Sequence, residues 1–587
     1  MKGLVIAAVA ATAVFGASAA DFEISIDPKA KPIKDMRKTG CNQGMGFNAA
    51  LEQVWSVASD DYWFVTNKVY ASKILREAGA NLLRLQCMRS WWNRGKPNPY
   101  DKDSKDPKER QRYRSYHRTN PKAAFDFYKE NGIKVWVCLE CWNTNDVPNC
   151  VEIVKWLVDN DYKGVVAGIE MGNESYGSAP VPPWVKFIHE AEKVWPKLPL
   201  GINIAELFEL NPDLAHMKAR LESQDPLQRN GYFTAAGYNQ NSTRFVKELA
   251  ASNVLGKIGH IIWHAYGCEE PYSCSYHGIK RFRNYVDMYP ELLKDKKWWL
   301  TEVRPRSDED NHSQRLYRDM LIMAHFSLMA LCQPEVDGFG HHQLTALAGA
   351  LYQSDGRNWY VQWYDSNQNS IPDHRAPGNL PRMEVGHMGV MYRIFTEAIR
   401  NNPVFLMHGT SKACNTEDTF YTSARIGTQV YAYRKACKER QEPFLGIFGG
   451  KKQIEGETEY VVSTDGRGRY CLIMVNTKPE KQVIRVTMPG HQFAAPMYRT
   501  LTCPEKYLDC RAVPGEGQPW RQISWEDTQS GFAMWSNWDS KESKPGHCSY
   551  TPLPSGVEPK CDDMLIEIEP HTVQSVEFYT RKRPVEK

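Results

Sequence analysis

Short apolar runs alternate with longer segments of helical periodicity from about residue 81 to residue 342. This alternation is typical of βα units that build a parallel sheet. It predicts strands at residues 81–86, 134–139, 165–171, 198–204, 259–264, 298–302 and 336–341, preceded by a first strand at residues 39–47. It predicts helices at residues 67–78, 121–131, 151–160, 183–195, 242–252 and 313–331. Eight strands with intervening helices predict an α/β fold that closes into a (β/α)8 TIM barrel.

The pattern changes after residue 400, where short alternating segments are separated by Gly, Pro and Asp. Such segments are typical of a smaller all-β sandwich domain. Residues 22–26 also alternate, and this segment is predicted to add a strand to the sandwich. We therefore predict a barrel at residues 21–400 and a β-sandwich at residues 401–587, with sandwich strands at residues 429–433, 460–463, 470–475, 483–488, 564–569 and 573–578.

The first 20 residues have the composition of a secretory signal peptide. Lys2 precedes an apolar run over residues 4–15, and small residues follow as far as Ala20. The run is too short to cross a bilayer, which needs about 20 apolar residues. We therefore predict a signal peptide at residues 1–20, no membrane anchor, and a mature chain that is periplasmic or extracellular.

Composition narrows the classes of partner. The 587 residues include 73 basic and 69 acidic side chains, which gives a net charge of +4 without a basic or acidic tail. This balance argues against a nucleic-acid partner. Aromatic residues make up 12% of the chain, including 18 Trp, and suit both core packing and stacking on sugar rings.

The 15 cysteines of an exported chain predict disulfides, and their odd number leaves at least one unpaired in a monomer. Local pairs would close short loops, although the sequence does not fix the connectivity. The CxxC at Cys138 and Cys141 lies inside an apolar run and has no second CxxC or His pair at zinc spacing, so we interpret it as strand rather than metal site. The expected pairs are Cys268 with Cys274, Cys503 with Cys510, and Cys548 with Cys561.

Two glutamates end apolar runs that are predicted to be strands four and seven. Glu174 follows Asn173, and Glu302 follows the run that begins at Trp298. In a (β/α)8 barrel the active site lies at the carboxyl ends of the strands. Hydrolysis of a glycosidic bond needs two carboxyl groups, one that protonates the leaving oxygen and one that attacks the anomeric carbon. We therefore predict Glu174 as general acid/base and Glu302 as nucleophile, with the carboxyl groups roughly 5 Å apart.

From residue 35 to residue 400 the chain resembles the clan A glycoside hydrolases, which are retaining enzymes on a (β/α)8 barrel. The resemblance rests on Asn173-Glu174 and Glu302, on Arg84 in the second strand, and on the run from Trp263 to Tyr266 that ends the sixth strand. It implies that Arg84 and either Tyr266 or His264 hydrogen-bond the nucleophile, and that Asn173 contacts the sugar 2-hydroxyl. The barrel-plus-sandwich order is similar to the arabinofuranosidase, β-xylosidase and β-glucuronidase branches of the clan.

The sequence departs from the clan pattern at strand eight, where His341 and His342 stand in place of an aromatic platform. Trp359 or Trp363 could supply that platform, and core packing is an equal alternative for both. The histidines, with His264, would also suit a zinc site. Cleavage by two carboxylates needs no metal, so we predict no cofactor.

Residues after strand three and in the following loops bear on the substrate. Glu140 and Trp142 are predicted to line the cleft. The loop at residues 93–118 holds nine Lys or Arg against four Asp or Glu, and Arg304 and Arg306 follow the nucleophile. A cationic rim would favour a uronic or sulfated carbohydrate, whereas the alternative is a solvated insertion.

A retaining glycoside hydrolase acting on a poly- or oligosaccharide is therefore the predicted function. The alternative is a non-catalytic carbohydrate-binding protein that uses the same cleft, but binding alone does not need two carboxylates at opposite strand ends. An esterase is disfavoured because the chain contains no Gly-x-Ser-x-Gly elbow.

Overall fold

The computed structural model describes most of the predicted barrel and parts of the C-terminal domain. The described residues are 20–38, 45–49, 79, 81–85, 101, 103–106, 109, 121–176, 180–205, 207, 213–223, 235–268, 273–305, 317–342, 387–411, 458–494, 496–502, 548–551 and 563–582. The predicted helix at 67–78, the predicted strand at 429–433 and residues 1–19 of the predicted signal peptide lie outside them. So do the side chains of the six cysteines expected to form local disulfides.

Two short strands precede a closed barrel of eight parallel strands. The leading strands are β1 (Phe22–Ser25) and β2 (Lys34–Asp35). The barrel runs in the order β10-β3-β4-β5-β6-β7-β8-β9, so its first and last strands, β3 and β10, pair with each other. The barrel strands are β3 (Met45–Ala49), β4 (Leu82–Leu85), β5 (Lys134–Leu139), β6 (Val166–Met171), β7 (Leu200–Asn203), β8 (His260–Cys268), β9 (Lys297–Pro305) and β10 (Val336–His342).

Helices alternate with the barrel strands, as the periodicity predicts. In α3, two prolines stand in the first turn, where their missing N–H groups cost nothing, and Trp184, Phe187, Ile188 and Ala191 form a buried stripe. The helices are α1 (Pro121–Glu130), α2 (Val147–Asp159), α3 (Val181–Val194), α4 (Leu214–Glu222), α5 (Ala235–Ala251), α6 (Ser273–Met288), α7 (Pro290–Leu293), α8 (Tyr317–Leu331) and α9 (His387–Asn401).

Large aromatic side chains fill the lower interior of the barrel. Trp136 and Trp299 lie there with ring centroids 5.8 Å apart, and the ring of His260 stacks on Trp299 at 3.9 Å. Gly168 and Gly201 make room for Trp299, because a Cβ on either would approach its ring within 1.9 Å or 2.7 Å. This packing closes the base of the barrel, so any site must lie nearer the carboxyl ends of the strands.

The C-terminal strands form two sheets that share a second core. One sheet has the order β1-β14-β18, and the other has the order β17-β16-β19-β13-β12-β11-β2, with β15 paired to β19. Apolar residues from both sheets, including Ile24, Val462, Ile484 and Ile566, form that core. The strands are β11 (Val404–Thr410), β12 (Thr458–Thr464), β13 (Arg469–Asn476), β14 (Gln482–Thr487), β15 (His491–Phe493), β16 (Met497–Thr502), β17 (Cys548–Thr551), β18 (Asp563–Ile568) and β19 (Thr572–Lys582).

The leading strand β1 belongs to this second unit. It pairs in parallel with β14, with Phe22 opposite Ile484. The predicted fold class, a (β/α)8 barrel followed by an all-β sandwich, is confirmed. Within the described residues, no helix combines the length and the apolar character that crossing a bilayer requires.

Buried ionic contacts join the two units. Glu577 on β19 is buried and accepts hydrogen bonds from Arg499 Nη1 at 3.1 Å and from Asn401 Nδ2 at 3.0 Å, and it also pairs with Arg469. Arg499 Nε in turn lies 3.0 Å from Glu397 on α9. These contacts hold the last helix of the barrel against the large sheet.

The cysteines whose side chains the structure describes are buried and form no disulfide. They include Cys138 and Cys141 of the CxxC, which are not bonded to each other. The other three are Cys150, Cys332 and Cys471.

Candidate active site

Four barrel strands carry a cluster of buried polar side chains near their carboxyl ends. Arg84 on β4, Glu170 on β6, and His264 on β8 are fully buried, and Glu302 on β9 is 2% exposed. They lie above the aromatic layer of Trp136 and Trp299. Ionisable groups are rarely buried without partners, so the contacts within this cluster decide what it can do.

A β-bulge in β9, where it pairs with β8, directs the side chains of two consecutive residues, Thr301 and Glu302, toward the cluster. Ile262 on β8 pairs with Trp299 on β9. His264 lies two residues after Ile262, but it pairs with Glu302, which lies three residues after Trp299. The extra residue on β9 breaks the alternation of side chains along the strand. As a result Thr301 and Glu302 both reach His264: Thr301 Oγ1 lies 3.0 Å from Nε2 of the ring, and Glu302 Oε2 lies 3.6 Å from Nδ1.

The turn after β6 presents Asn173 and Glu174. Gly172 has a φ of +85°, a conformation that glycine adopts without strain. Glu174 also has a positive φ, of +47°, which costs a residue with a side chain on the order of 1–2 kcal/mol. The turn directs Asn173 Oδ1 to Arg84 Nη2 at 2.8 Å, and Glu174 Oε1 to His264 Nδ1 at 3.1 Å.

The two predicted catalytic carboxylates lie close together. One ligand atom each from Glu174, Glu302 and His264 all lie within 4.8 Å of one another. Carboxyl groups about 5–5.5 Å apart are typical of retaining glycosidases, whereas inverting enzymes need roughly 6.5–9.5 Å. The side chain of Glu174 is 39% exposed and that of Glu302 only 2%, so the first faces the solvent and the second is shielded from it.

Arg84 links three acidic or polar residues. Its Nε pairs with Glu170, its Nη1 pairs with Glu302, and its Nη2 donates to Asn173. Burial alone would lower the pKa of Arg84, but the charges of Glu170 and Glu302 outweigh burial and raise it well above its ordinary value. The guanidinium therefore stays charged and fixes Glu302 from below.

Glu170 is a buried carboxylate that our sequence interpretation did not include in the site. Burial alone would raise the pKa of Glu170, but the charge of Arg84 and hydrogen bonds from His264 and Arg84 lower it to about 2. The sequence offers one signal for Glu170. It is an acidic residue inside the apolar run of β6, Arg84 is a basic residue inside the apolar run of β4, and buried opposite charges of this kind are expected to pair.

Tyr176 is a second residue that sequence interpretation missed. Its hydroxyl donates to Glu174 Oε1 at 3.1 Å, and its ring packs edge-on against His264 at 6.4 Å. The residue is buried and has a φ of +41°. The sequence carries no signal for this role, because the turn that brings Tyr176 back to Glu174 depends on unusual backbone angles.

The remaining predicted site residues are placed as follows. Tyr266 lies on β8 two residues beyond His264, and its side chain is outside the described part of the structure. Glu140 and Trp142 follow the end of β5, and Trp142 is 40% exposed. His341 is buried at the end of β10 with its ring against Tyr392 at 5.4 Å.

Several sequence-based expectations fall on residues that the structure leaves undescribed. They are the side chains of His342 and Arg304, the residues Arg306, Trp359 and Trp363, and most of the basic loop at residues 93–118.

Glu174, His264 and Glu302 are also residue types that bind metals. Both nitrogens of the His264 ring, however, lie at hydrogen-bond distance from oxygen atoms, with Thr301 on one side and Glu174 on the other. Arg84 and His264 supply positive charge among the carboxylates. We therefore interpret the cluster as a hydrogen-bonded carboxylate pair and assign it no metal.

Comparison with known proteins gives a result for the fold alone. The sequence matches no protein-family model, and a search of curated proteins finds no match to it. Among solved structures, it is similar to the α-L-arabinofuranosidase from Thermotoga maritima in its arabinose complex, with 11% identity, a TM-score of 0.54, and coverage of 94% of this chain and 99% of the other.

A second similar structure is the thermostable GH51 α-L-arabinofuranosidase from Thermotoga petrophila RKU-1, with 11% identity, a TM-score of 0.52 and the same coverage of 94% and 99%. The likeness extends over nearly the full length of each protein, barrel and β-domain together. The resemblance to clan A glycoside hydrolases is thus confirmed for the fold of this chain.

Proposed function

We propose that the chain is a retaining glycoside hydrolase in which Glu302 is the nucleophile and Glu174 is the general acid/base. The observation that supports the proposal is the short distance between these two carboxylates, which have oxygen atoms within 4.8 Å of each other. That distance fits double displacement and leaves no room for the water that an inverting enzyme places between its carboxyl groups.

In the first step Glu302 attacks the anomeric carbon while Glu174 gives its proton to the leaving oxygen. The bond between the anomeric carbon and that oxygen breaks, a glycosyl ester forms on Glu302, and the negative charge passes from Glu302 to Glu174. In the second step Glu174 removes a proton from water, which attacks the ester and releases the sugar with its original configuration. The difference in exposure supports these roles, because Glu174 must exchange protons with the leaving group and with water, whereas Glu302 reacts only with the anomeric carbon.

The substrate that we propose is an O-linked poly- or oligosaccharide. The two similar structures are α-L-arabinofuranosidases, so arabinofuranosides belong first in a test. The basic loop at residues 93–118 adds uronic and sulfated carbohydrates to the candidates.

Assay of the purified chain against aryl glycosides of neutral and uronic sugars tests the proposal. We expect hydrolysis of at least one sugar, with NMR of the first-formed product showing retained configuration. Glu302→Gln should lower kcat by at least about 10⁴-fold, since the covalent step is lost. The control is Glu190→Gln, which alters an exposed carboxylate paired with Lys193 on α3 and should leave the rate unchanged.

Two results would contradict the proposal. Inverted product would exclude double displacement. Tight carbohydrate binding without hydrolysis of any glycoside would instead favour the non-catalytic binding protein.

We also propose that the chain is exported after removal of residues 1–20. N-terminal sequencing of the protein recovered from outside the cytoplasm should begin near Asp21. Recovery of the intact N-terminus from the cytoplasm would contradict this.

A further inference from the structure

We propose that Glu170 is a positioning residue that holds Arg84, which pairs with Glu302, and His264, which faces both Glu174 and Glu302. The inference rests on the proposed function, because it concerns the same two glutamates. Glu170 itself is fully buried inside the barrel, and its hydrogen bonds and ion pairs join it to Arg84, Asn203, Thr301 and His264.

Glu170 is surrounded by hydrogen-bond donors. Its Oε2 pairs with Arg84 Nε. Its Oε1 accepts from Asn203 Nδ2 at 3.0 Å and from Thr301 Oγ1 at 3.3 Å, and lies 3.5 Å from His264 Nε2. Donors from β4, β7, β8 and β9 thus converge on one carboxylate of β6. So complete a set keeps Glu170 ionised and rigid.

One connection runs from Glu170 through Arg84. A guanidinium is planar, so fixing its Nε also fixes the directions of its two Nη groups. Here Nη1 faces Glu302 Oε1 and Nη2 lies 2.8 Å from Asn173 Oδ1. The contact at Nε therefore sets the angle at which Arg84 holds the nucleophile and the adjacent asparagine.

The other connection runs through Thr301 to His264. The Thr301 hydroxyl has only one proton to donate. Its oxygen lies 3.3 Å from Glu170 Oε1 and 3.0 Å from His264 Nε2. Because Glu170 is an anion, Thr301 donates to Glu170 and must accept from an Nε2–H of His264. On the opposite edge of the ring, Nδ1 faces Glu174 Oε1 at 3.1 Å and Glu302 Oε2 at 3.6 Å, which are also acceptors.

His264 therefore carries protons on both nitrogens. Burial alone would lower the pKa of His264, and Arg84 also lowers it, but the charge of Glu302 and the hydrogen bonds to Glu170 and Glu174 raise it to about 9. The Nδ1–H faces both catalytic glutamates and lies nearer to Glu174 than to Glu302. It can therefore donate to Glu174 when the negative charge passes to that carboxylate in the glycosyl-enzyme, and Glu170 keeps the donor protonated.

The test replaces Glu170 by its neutral isostere, Glu170→Gln. The matched control is Glu459→Gln, because Glu459 is another buried carboxylate next to a histidine, with His408 Nε2 at 2.6 Å, but lies on β12 of the sandwich. We expect Glu170→Gln to lower kcat about tenfold to hundredfold, to change KM less than threefold, and to shift the alkaline limb of the pH profile to lower pH. The control should leave all three unchanged.

A second readout does not depend on activity. In protein labelled with ¹⁵N at histidine, His264→Gln identifies the His264 ring signals. We expect those signals to remain doubly protonated to about pH 8 in the native chain, and to titrate at least one pH unit lower in Glu170→Gln. If Glu170→Gln does not fold, Thr301→Val provides the same test. It removes the hydroxyl group between Glu170 and His264 while keeping the side-chain shape, and it should also lower the pH at which the His264 signals titrate.

The outcomes separate the two proposals. His264 signals that titrate alike in the native chain, Glu170→Gln and Thr301→Val overturn the positioning role, as does an active Glu170→Gln enzyme with native kcat and pH profile. Failure of the native chain to cleave any glycoside overturns the proposed function instead, and the histidine signals still decide whether Glu170 controls His264.

Discussion

The Nδ1 atom of His264 lies 3.1 Å from Oε1 of Glu174, so a ring fixed in the interior of the barrel reaches the carboxylate at its mouth. His264 is fully buried while the Glu174 side chain is 39% exposed. The contact therefore links the buried part of the site to its solvent-exposed part. It also makes the two proposed catalytic glutamates chemically unequal, and the inequality can be measured.

Replacing Glu174 and Glu302 by alanine should impair different steps of the reaction. With an aryl glycoside of the correct sugar, Glu174→Ala should form the glycosyl-enzyme but release it slowly, because the leaving group needs little protonation and water lacks its base. Azide should then accelerate release and give a glycosyl azide of retained configuration. Glu302→Ala should give an azide of inverted configuration, since azide attacks directly from the vacated space. Inverted azides from both variants would refute the assignment.

The free energy of unfolding should depend on pH through His264. Its pKa of about 9 in the folded chain lies above the ordinary value of roughly 6.5. Its contribution to stability is therefore complete below about pH 6.5 and is lost as the pH rises through 9. Urea unfolding should show that the stability difference between the native chain and His264→Gln shrinks by up to about 3 kcal/mol from pH 6 to pH 9.5. A difference independent of pH would show that His264 is not charged in the folded state.

Trp142 should contribute to substrate binding rather than to the chemical step. Its indole is 40% exposed, while the backbone N–H groups of Trp142 and Asn143 both donate to Asp146 Oδ2 at 3.0 Å and hold the turn in place. Trp142→Ala should raise KM for an oligosaccharide about tenfold, the value of one lost aromatic contact, and leave kcat within about twofold. Trp142→Phe should restore most of the affinity. A matching fall in kcat would place Trp142 in the chemistry instead.

Glu577 should stabilise the junction between barrel and sandwich. Its replacement removes the buried carboxylate shared by Arg469 and Arg499 and leaves only Glu397 paired with Arg499, so Glu577→Gln should lower the free energy of unfolding by about 3–5 kcal/mol. Glu567→Gln, which removes a carboxylate that is 61% exposed and paired with Lys481, should cost less than about 1 kcal/mol. Equal losses of unfolding free energy in the two variants would mean that burial of the Glu577 ion pairs does not add to stability.

Hydrophobic periodicity was sufficient to predict the barrel and most strand positions. Parallel strands buried on both faces are short apolar runs, and β5 spans the residues predicted for it. Helix starts were less accurate. Helix α5 begins at Ala235 rather than residue 242, because Asn239 is buried and donates to Ala205 O at 3.0 Å, so a polar residue occupies an inward position. Helix α2 begins at Val147 rather than residue 151, because a proline is tolerated in its first turn.

Strand ends predicted which residues to consider for the site, since His264 and Glu302 end apolar runs, whereas Arg84 was singled out as a charged residue inside one. The contacts that organise them depend on backbone details that periodicity does not contain. The bulge on β9 brings Thr301 beside Glu302, and positive φ angles in the turn after β6 bring Tyr176 back to Glu174. Glu170 was missed for a different reason, because it stands inside a buried run rather than at its end, and the sequence alone does not show which other strands supply its partners.

The pairing of β1 with β14 has a consequence for the order in which the chain can fold. Asp21 donates to Val483 O at 2.8 Å and accepts from Val483 N through its side chain at 2.6 Å, so this pairing joins segments that are 462 residues apart in sequence. Strand β14 lies between β1 and β18. A C-terminal fragment produced alone would turn β14 into an exposed edge, where its unpaired backbone groups could recruit strands from other molecules. Barrel and sandwich are therefore consecutive in sequence but not separable by a single cut.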